Sequence, residues 1–218
     1  GCAKPRRAVL LAGWPASQVS CSCWANHMST TKIYSPEDFI TMPWRNGLGS
    51  TLELLKHGLG DPFQWRLSMA DVAEDGAFSD FSGYDRCLVL IDGKGLTLTD
   101  NKTQTWALKR QLDTAHFKGE DLIDAQLHDG PIRDFNLITR RQNCKASVVT
   151  SRHYTTQTIC LDADLFLLFN VHGFTSFKLD NSPIETLDEQ HLMHLDPGSN
   201  SICVCSGDAW IGILISYI

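Results

Sequence analysis

The chain carries no long amphipathic helical stripe. Short runs of aliphatic, aromatic and β-branched residues recur instead, closed every 8–12 residues or so by turns rich in glycine, proline, asparagine or aspartate. The clearest unit is Cys87–Ile91, the turn Asp92-Gly93-Lys94-Gly95 and Leu96–Thr99, which reads as a tight hairpin. Leu122–Leu127 and Ile132–Arg141, joined by His128-Asp129-Gly130-Pro131, read as another. Strands are also predicted at Thr51–Leu55, Phe63–Ala70 and Thr103–Leu108. The second half continues with Ala146–Thr150, Tyr154–Leu161, Leu165–Val171, Phe174–Leu179, Ile184–Leu187, Leu192–Leu195, Ser201–Cys205 and Ala209–Tyr217. Only Ser35-Pro36-Glu37-Asp38 looks like a helix start, for a short helix through Phe39 and Ile40 that Pro43 ends. The pattern predicts an all-β protein built as a sandwich or barrel.

Length and charge narrow the function. At 218 residues the chain can form one large domain or two small ones sharing a core. The formal net charge of −6, with basic residues scattered, argues against a nucleic-acid or anionic-membrane partner. No apolar run reaches the ~18 residues of a spanning helix. Residues 1–27 hold a basic cluster and a short apolar run broken by Gly13-Trp14-Pro15, and Met28 precedes what reads as the domain start. We read 1–27 as a leader, tag or disordered extension. Eight cysteines spread over this length do not form a disulfide framework, and buried free thiols in a reducing, cytoplasmic setting are expected.

The polar residues inside the strands carry the functional signal. On Phe63–Ala70, side-chain alternation sends Arg66 and Ser68 one way and Trp65, Leu67 and Met69 the other. Arg86 shares a face with Leu88 and Leu90, while Asp134, Asn136 and Arg140 share one on their strand. Glu53 lies in the strand after the glycine-punctuated loop from Trp44 to Thr51. If these faces meet, they form a pocket with three guanidinium groups, two carboxylates and neutral hydrogen-bonding groups. Such a pocket suits a small anion, because arginine binds carboxylates in bidentate fashion. The same residues could equally form an internal network, with Arg66 and Arg86 against Glu53 and Asp134, that binds nothing. Catalysis has weaker support, since neighbouring arginines are expected to keep both carboxylates ionised. No HxH pair occurs among the eight histidines, and no metal or cofactor site is expected.

Four ordered blocks then resemble one family: Trp44-Arg45-Asn46-Gly47-x-Gly49-x-Thr51-x-Glu53, Phe63-x-Trp65-Arg66-x-Ser68-x-Ala70, Gly76-x-Phe78-Ser79-x-Phe81-x-Gly83-x-Asp85-Arg86 and Arg133-Asp134-Phe135-Asn136-x-x-x-Arg140. They are similar to the HutD/Ves family, over about Ile33 to the C-terminus. The resemblance implies a bicupin, two β-barrel or jelly-roll modules in one chain, and a bacterial cytoplasmic protein. It links HutD members to regulation of histidine utilisation and Ves members to a stress response. It divides the chain into a first module at 28–141 bearing the motifs and a divergent second module at 142–218, with strands exchanged between them. Where a metal cupin strand would supply its ligands, Tyr84–Gly93 offers Arg86 and aliphatics.

The expectation is a metal-free bicupin that binds a small carboxylate metabolite, such as an intermediate of histidine degradation, as a sensor or modulator. Arg66 and Arg86 would hold the anion, with Arg140 nearby; Asn46, Ser68 and Asn136 would read its polar groups. Glu53 and Asp134 would orient the arginines, and Trp44 and Trp65 would wall the pocket. The alternatives are an enzyme acting on a small polar metabolite with Glu53 or Asp134 as base, and a structural or interaction protein with no ligand. A monomer or homodimer is expected.

Overall fold

A computed structural model describes residues 30–218, apart from 45–48, 59, 61 and 199. The stretch 1–27 and Asn46 therefore lie outside the described residues. The fold is all-β, with one 3-10 turn at Pro36–Asp38. The short helix expected there is no more than this turn. Ser35 N–H donates to the Asp38 carboxylate at 2.8 Å, and the chain then extends into a strand at Ile40–Pro43. The seven residues between the cap Ser35 and Pro43 are too few to propagate a helix.

Strands are numbered in chain order, beginning with β1 (Thr30–Tyr34) and β2 (Ile40–Pro43). A six-stranded antiparallel sheet then comprises β2, β3 (Gly49–His57), β4 (Trp65–Val72), β11 (Ile132–Arg140), β6 (Tyr84–Asp92) and β9 (Thr114–Lys118) in that spatial order. Facing it is a four-stranded sheet of β5 (Gly76–Ala77), β10 (Ile123–Leu127), β7 (Leu96–Asp100) and β8 (Thr105–Leu108). Between them lies a core with Val72, Leu88, Leu90 and Phe117 from the first sheet and Leu96, Leu98, Leu108 and Ile123 from the second. Neither predicted hairpin forms: β6 and β7 lie in different sheets, as do β10 and β11, because each turn carries the chain across the apolar core from one sheet to the facing one. Gly93 and Gly95 both hold positive φ in the first of these turns.

The third sheet has three long strands: β12 (Cys144–Cys160), β13 (Leu165–Leu179) and β16 (Ile202–Tyr217). β15 (Leu192–Asp196) and β14 (Glu185–Leu187) pair with β13. β1 pairs with β15, so the first described strand joins the C-terminal sheet. The sequence pattern splits each long strand in two. The interruptions are bulges rather than turns, at Arg152/Thr155 on β12 and between Asn170 and Thr175 on β13. Bulges bend a strand without ending its pairing. The halves fold over a second core in which Ile159, Leu161 and Phe177 meet Phe166, Leu168 and Trp210.

A third cluster joins the two halves of the molecule. Trp65, Leu67, Met69, Phe135 and Leu137, on the outer face of the six-stranded sheet, pack on Leu165, Leu167, Phe169, Ile211 and Ile213. The Phe135 and Phe169 ring centroids lie 5.4 Å apart across this seam. The sheet containing β4, β11 and β6 is therefore apolar on both faces, and only one end of its inner face is polar.

Candidate ligand-binding site

That polar end lines a cavity of about 560 Å³. Strand pairing arranges its floor in rows. Ile138 of β11 is flanked by Arg66 of β4 and Arg86 of β6. In the next row Asn136 lies between Ser68 and Leu88, and in the third Asp134 lies between Ala70 and Leu90. Antiparallel strands are about 4.8 Å apart, so the two arginine backbones stand roughly 10 Å apart across one strand. Trp44, with its indole N–H donating to Thr51 Oγ1 at 2.8 Å, and the loop bearing Phe78 and Phe81 complete the wall.

The two arginines are held differently. Arg66 Nε is 2.8 Å from Glu53 Oε2, both side chains being mostly buried. This is an ion pair, although the N–H is not aligned for a hydrogen bond with any described residue. Arg86 is only 8 % exposed. One terminal nitrogen donates to Asn136 Oδ1 at 2.8 Å and the other to the Ser79 carbonyl at 3.3 Å, while its buried Nε has no partner among the described residues. Its guanidinium carbon lies 5.0 to 5.4 Å from the ring centroids of Phe78, Phe81 and Phe117. Aromatic faces attract a cation and cannot replace the water it has lost. Burial accordingly pulls the Arg86 pKa down to about 10, against the pull of Asp134, and leaves it charged at neutral pH.

Asn136 links Arg86 to Asp134: its carbonyl accepts from the guanidinium while its amide donates to Asp134 Oδ1. Asp134 is 1 % exposed and makes no direct ion pair among the described residues. Burial pushes its carboxyl up to about 7, although the Arg86 charge and the Asn136 bond act in the opposite direction. The expectation that neighbouring arginines would keep it fully ionised does not hold. The nearer arginine reaches Asp134 only through Asn136, so desolvation wins.

The geometry brings together Trp44, Arg66, Ser68, Arg86, Asp134 and Asn136 around the cavity. Glu53 touches it through Arg66. Trp65 does not line it: the alternation that turns Arg66 inward turns Trp65 into the seam, where its N–H donates to Tyr217 Oη at 3.2 Å and its ring stacks on His57. Arg140 shares the Asp134 and Asn136 parity, but the cavity ends at Ile138 and Arg140 is not among its lining residues. The aromatic surroundings of Arg86 are not visible in the sequence pattern. Phe78 and Phe81 look like packing residues of an irregular loop, whereas pairing of Phe78 N with Ile123 O and of Phe81 N with Gly119 O lays that loop over the guanidinium. Phe117 stays hidden because no strand is predicted where β9 forms. Among the described residues no three His, Cys, Asp or Glu side chains gather as a metal-ligand set.

Fold and site together define a cupin-like β protein whose barrel mouth carries arginines, an amide and a buried carboxylate. The family model HutD matches residues 36–212, and the chain belongs to that family. It is 38 % identical over 176 residues to an uncharacterized 21.2 kDa protein in the hutC 3′ region of Pseudomonas putida, covering 78 % of this chain and 88 % of that one. It is also 38 % identical over 116 residues to the protein Ves of Escherichia fergusonii, covering 52 % of this chain and 60 % of that protein. The HutD structure from Pseudomonas fluorescens, from a formate condition, superposes with a TM-score of 0.74 at 29 % identity, over 87 % of this chain and all of that one. An oxalate decarboxylase of Lactobacillus farciminis, 8 % identical with a TM-score of 0.56 over 85 % of each chain, shares the fold alone.

Proposed function

We propose that this protein binds a small carboxylate metabolite in the barrel-mouth cavity and acts as a sensor or modulator. One observation carries the reading: Arg66 and Arg86 line one cavity beside neutral hydrogen-bonding groups and aromatic walls, and the buried Arg86 Nε makes no hydrogen bond to any described residue. A purely structural network would be expected to use that donor, since a buried charged group without full hydrogen bonding is costly. A carboxylate brings charged acceptors to the guanidinium groups facing the cavity. The family, and the place of the Pseudomonas putida relative beside hutC, favour an acid from histidine breakdown as the ligand.

The test is a thermal-shift and calorimetric titration with urocanate, formylglutamate and formate. A ligand at ~100 times its dissociation constant adds about 2.7 kcal/mol to stability, a readily measured shift. Arg66→Gln is expected to weaken binding at least tenfold while leaving the fold intact, and Arg86→Ala to abolish it. No shift with any acid, or unchanged affinity in both variants, would sink the reading. The raised Asp134 carboxyl favours one second reading, a general base acting on a small polar metabolite. It requires turnover of a bound acid that Asp134→Asn abolishes.

A further inference from the structure

We propose that the cavity is proton-coupled: a carboxylate enters against Arg86 together with one proton, which Asp134 takes up. The inference rests on the carboxylate-binding reading and adds the protonation state in which the site accepts its ligand.

The geometry leads to it through charge. In the ligand-free cavity the Arg86 guanidinium is balanced by Asp134, through Asn136, which bonds to both. Arg66 is balanced separately by Glu53 on β3. An arriving carboxylate places a second negative charge beside Arg86, in surroundings where like charges are poorly screened. Among the described residues the remaining charged neighbour is Asp71 on β4, whose carboxylate is held by Arg133 at 2.6 Å. β6 contributes Leu88 and Leu90 beside Arg86, and the facing sheet supplies Leu96, Leu98, Ile123 and Ala125, none of them titratable. Asp134 is thus the group able to relieve the excess charge. Its carboxylate gains a proton from solvent and becomes a neutral acid, and no other bond forms or breaks. Burial already holds this carboxyl near neutrality, and Asp71 adds to the upward push.

The protonated acid also has a structural use. Asn136 donates to Asp134 and accepts from Arg86. If Asp134 becomes neutral, Arg86 loses its internal counter-charge and keeps its full attraction for the ligand. The site then favours a single carboxylate delivered at neutral or mildly acidic pH over the same anion at alkaline pH.

The experiment measures affinity for formate and for acetate from thermal shifts between pH 6 and pH 9, since both probes are fully ionised across that window. Wild-type affinity is expected to fall towards tenfold per pH unit above about 7, with proton uptake seen calorimetrically in buffers of different ionisation heat. Asp134→Asn is expected to bind with no pH dependence and no proton uptake. Carbon-13 aspartate labelling provides a readout that does not depend on the variant: a protonated-carboxyl infrared band is expected to grow when formate is added to the wild type. Binding without proton uptake, or uptake that survives in Asp134→Asn, overturns this inference and leaves the carboxylate reading standing. Absence of binding at every pH overturns both.

Discussion

The two ends of the molecule use similar β architecture for opposite purposes. The C-terminal sheet closes on itself around Phe166, Leu168, Phe177, Met193 and Trp210, all buried, with the Cys203 and Cys205 thiols among them. The two sheets of residues 40–140 are equally apolar at one end, through Leu88, Leu90, Leu96 and Leu98, but open at the other into the Arg66, Arg86 and Asp134 cavity. A filled barrel gains stability from every side chain it encloses. One with a polar mouth gives up some of that burial and desolvates an arginine and an aspartate as well. The proposed ligand-binding role accounts for the buried charges at one end, whereas the filled end leaves only neutral polar atoms, such as Trp210 Nε1, buried without a described partner.

Truncation of an aromatic residue at each end should show the contrast most strongly. Trp210→Ala removes a fully buried indole from the filled core and is expected to destabilise by ~3–5 kcal/mol. Trp44→Ala removes a half-buried indole with one side-chain hydrogen bond at the cavity wall, and should cost about 1 kcal/mol while weakening carboxylate binding. Chemical denaturation of both variants checks the order. Equal losses would mean that the mouth is packed as tightly as the closed end.

The contrast extends to pH. Asp134 is raised from an ordinary value of 3.8 to about 7 in the fold, so between those values the folded state keeps a proton that the unfolded chain has released. Its contribution to stability is therefore present below about pH 4 and is lost as pH rises to about 7. The loss is on the order of a few kcal/mol, because each pH unit between the two values is worth about 1.4 kcal/mol. Asp134→Asn should remove this slope from the urea-denaturation midpoint between pH 4 and pH 7. The filled end contributes no such slope from its own core, whose ionisable members are the Cys203 and Cys205 thiols; their mutual contact and burial hold Cys205 far above this range.

The legible parts of this arrangement are those that follow from alternation. Arg66 and Ser68 share one parity and Asp134 and Asn136 another, and the strand register brings both onto one floor. The same alternation assigns Trp65 to the seam, so its expected place in the pocket conflicts with its own strand. Parity alone does not show that the floor stops at Ile138, because the limit is set by the loop that crosses it. The strand β12 reads as a pair because His153 and Tyr154 interrupt the apolar pattern as a turn would. Both residues take positive φ there without a glycine to signal it. The protonation of Asp134 is not legible either, since it depends on a guanidinium that touches Asn136 instead of the carboxylate.

A smaller effect should come from the lid over Arg86. A Cβ on Gly119 would collide with the Phe81 carbonyl oxygen, in the backbone pairing that lays the aromatic loop over the guanidinium. Gly119→Ala must push that loop outward, at about 1–3 kcal/mol for the overpacking. Because Phe81 faces Arg86, the displacement should weaken carboxylate binding more than Trp210→Ala does, even though the stability loss is smaller. Calorimetry on both variants separates the two quantities.

The smallest effect is expected at the surface of the turn that follows the Arg86 strand. Lys94 Nζ and Asp129 form a contact with side chains 72 % and 70 % exposed. Water screens such a pair, and holding two flexible chains together costs entropy, so Lys94→Ala should not measurably move the melting temperature. The pair at Arg66 and Glu53 is far less solvated, with 15 % and 16 % side-chain exposure, and borders the cavity. Glu53→Gln should therefore change both stability and the salt dependence of carboxylate binding, where Lys94→Ala changes neither. If the two substitutions behaved alike, the arginines at the mouth would be as solvated as the surface, and the distinction between the open and the filled end would lose its electrostatic basis.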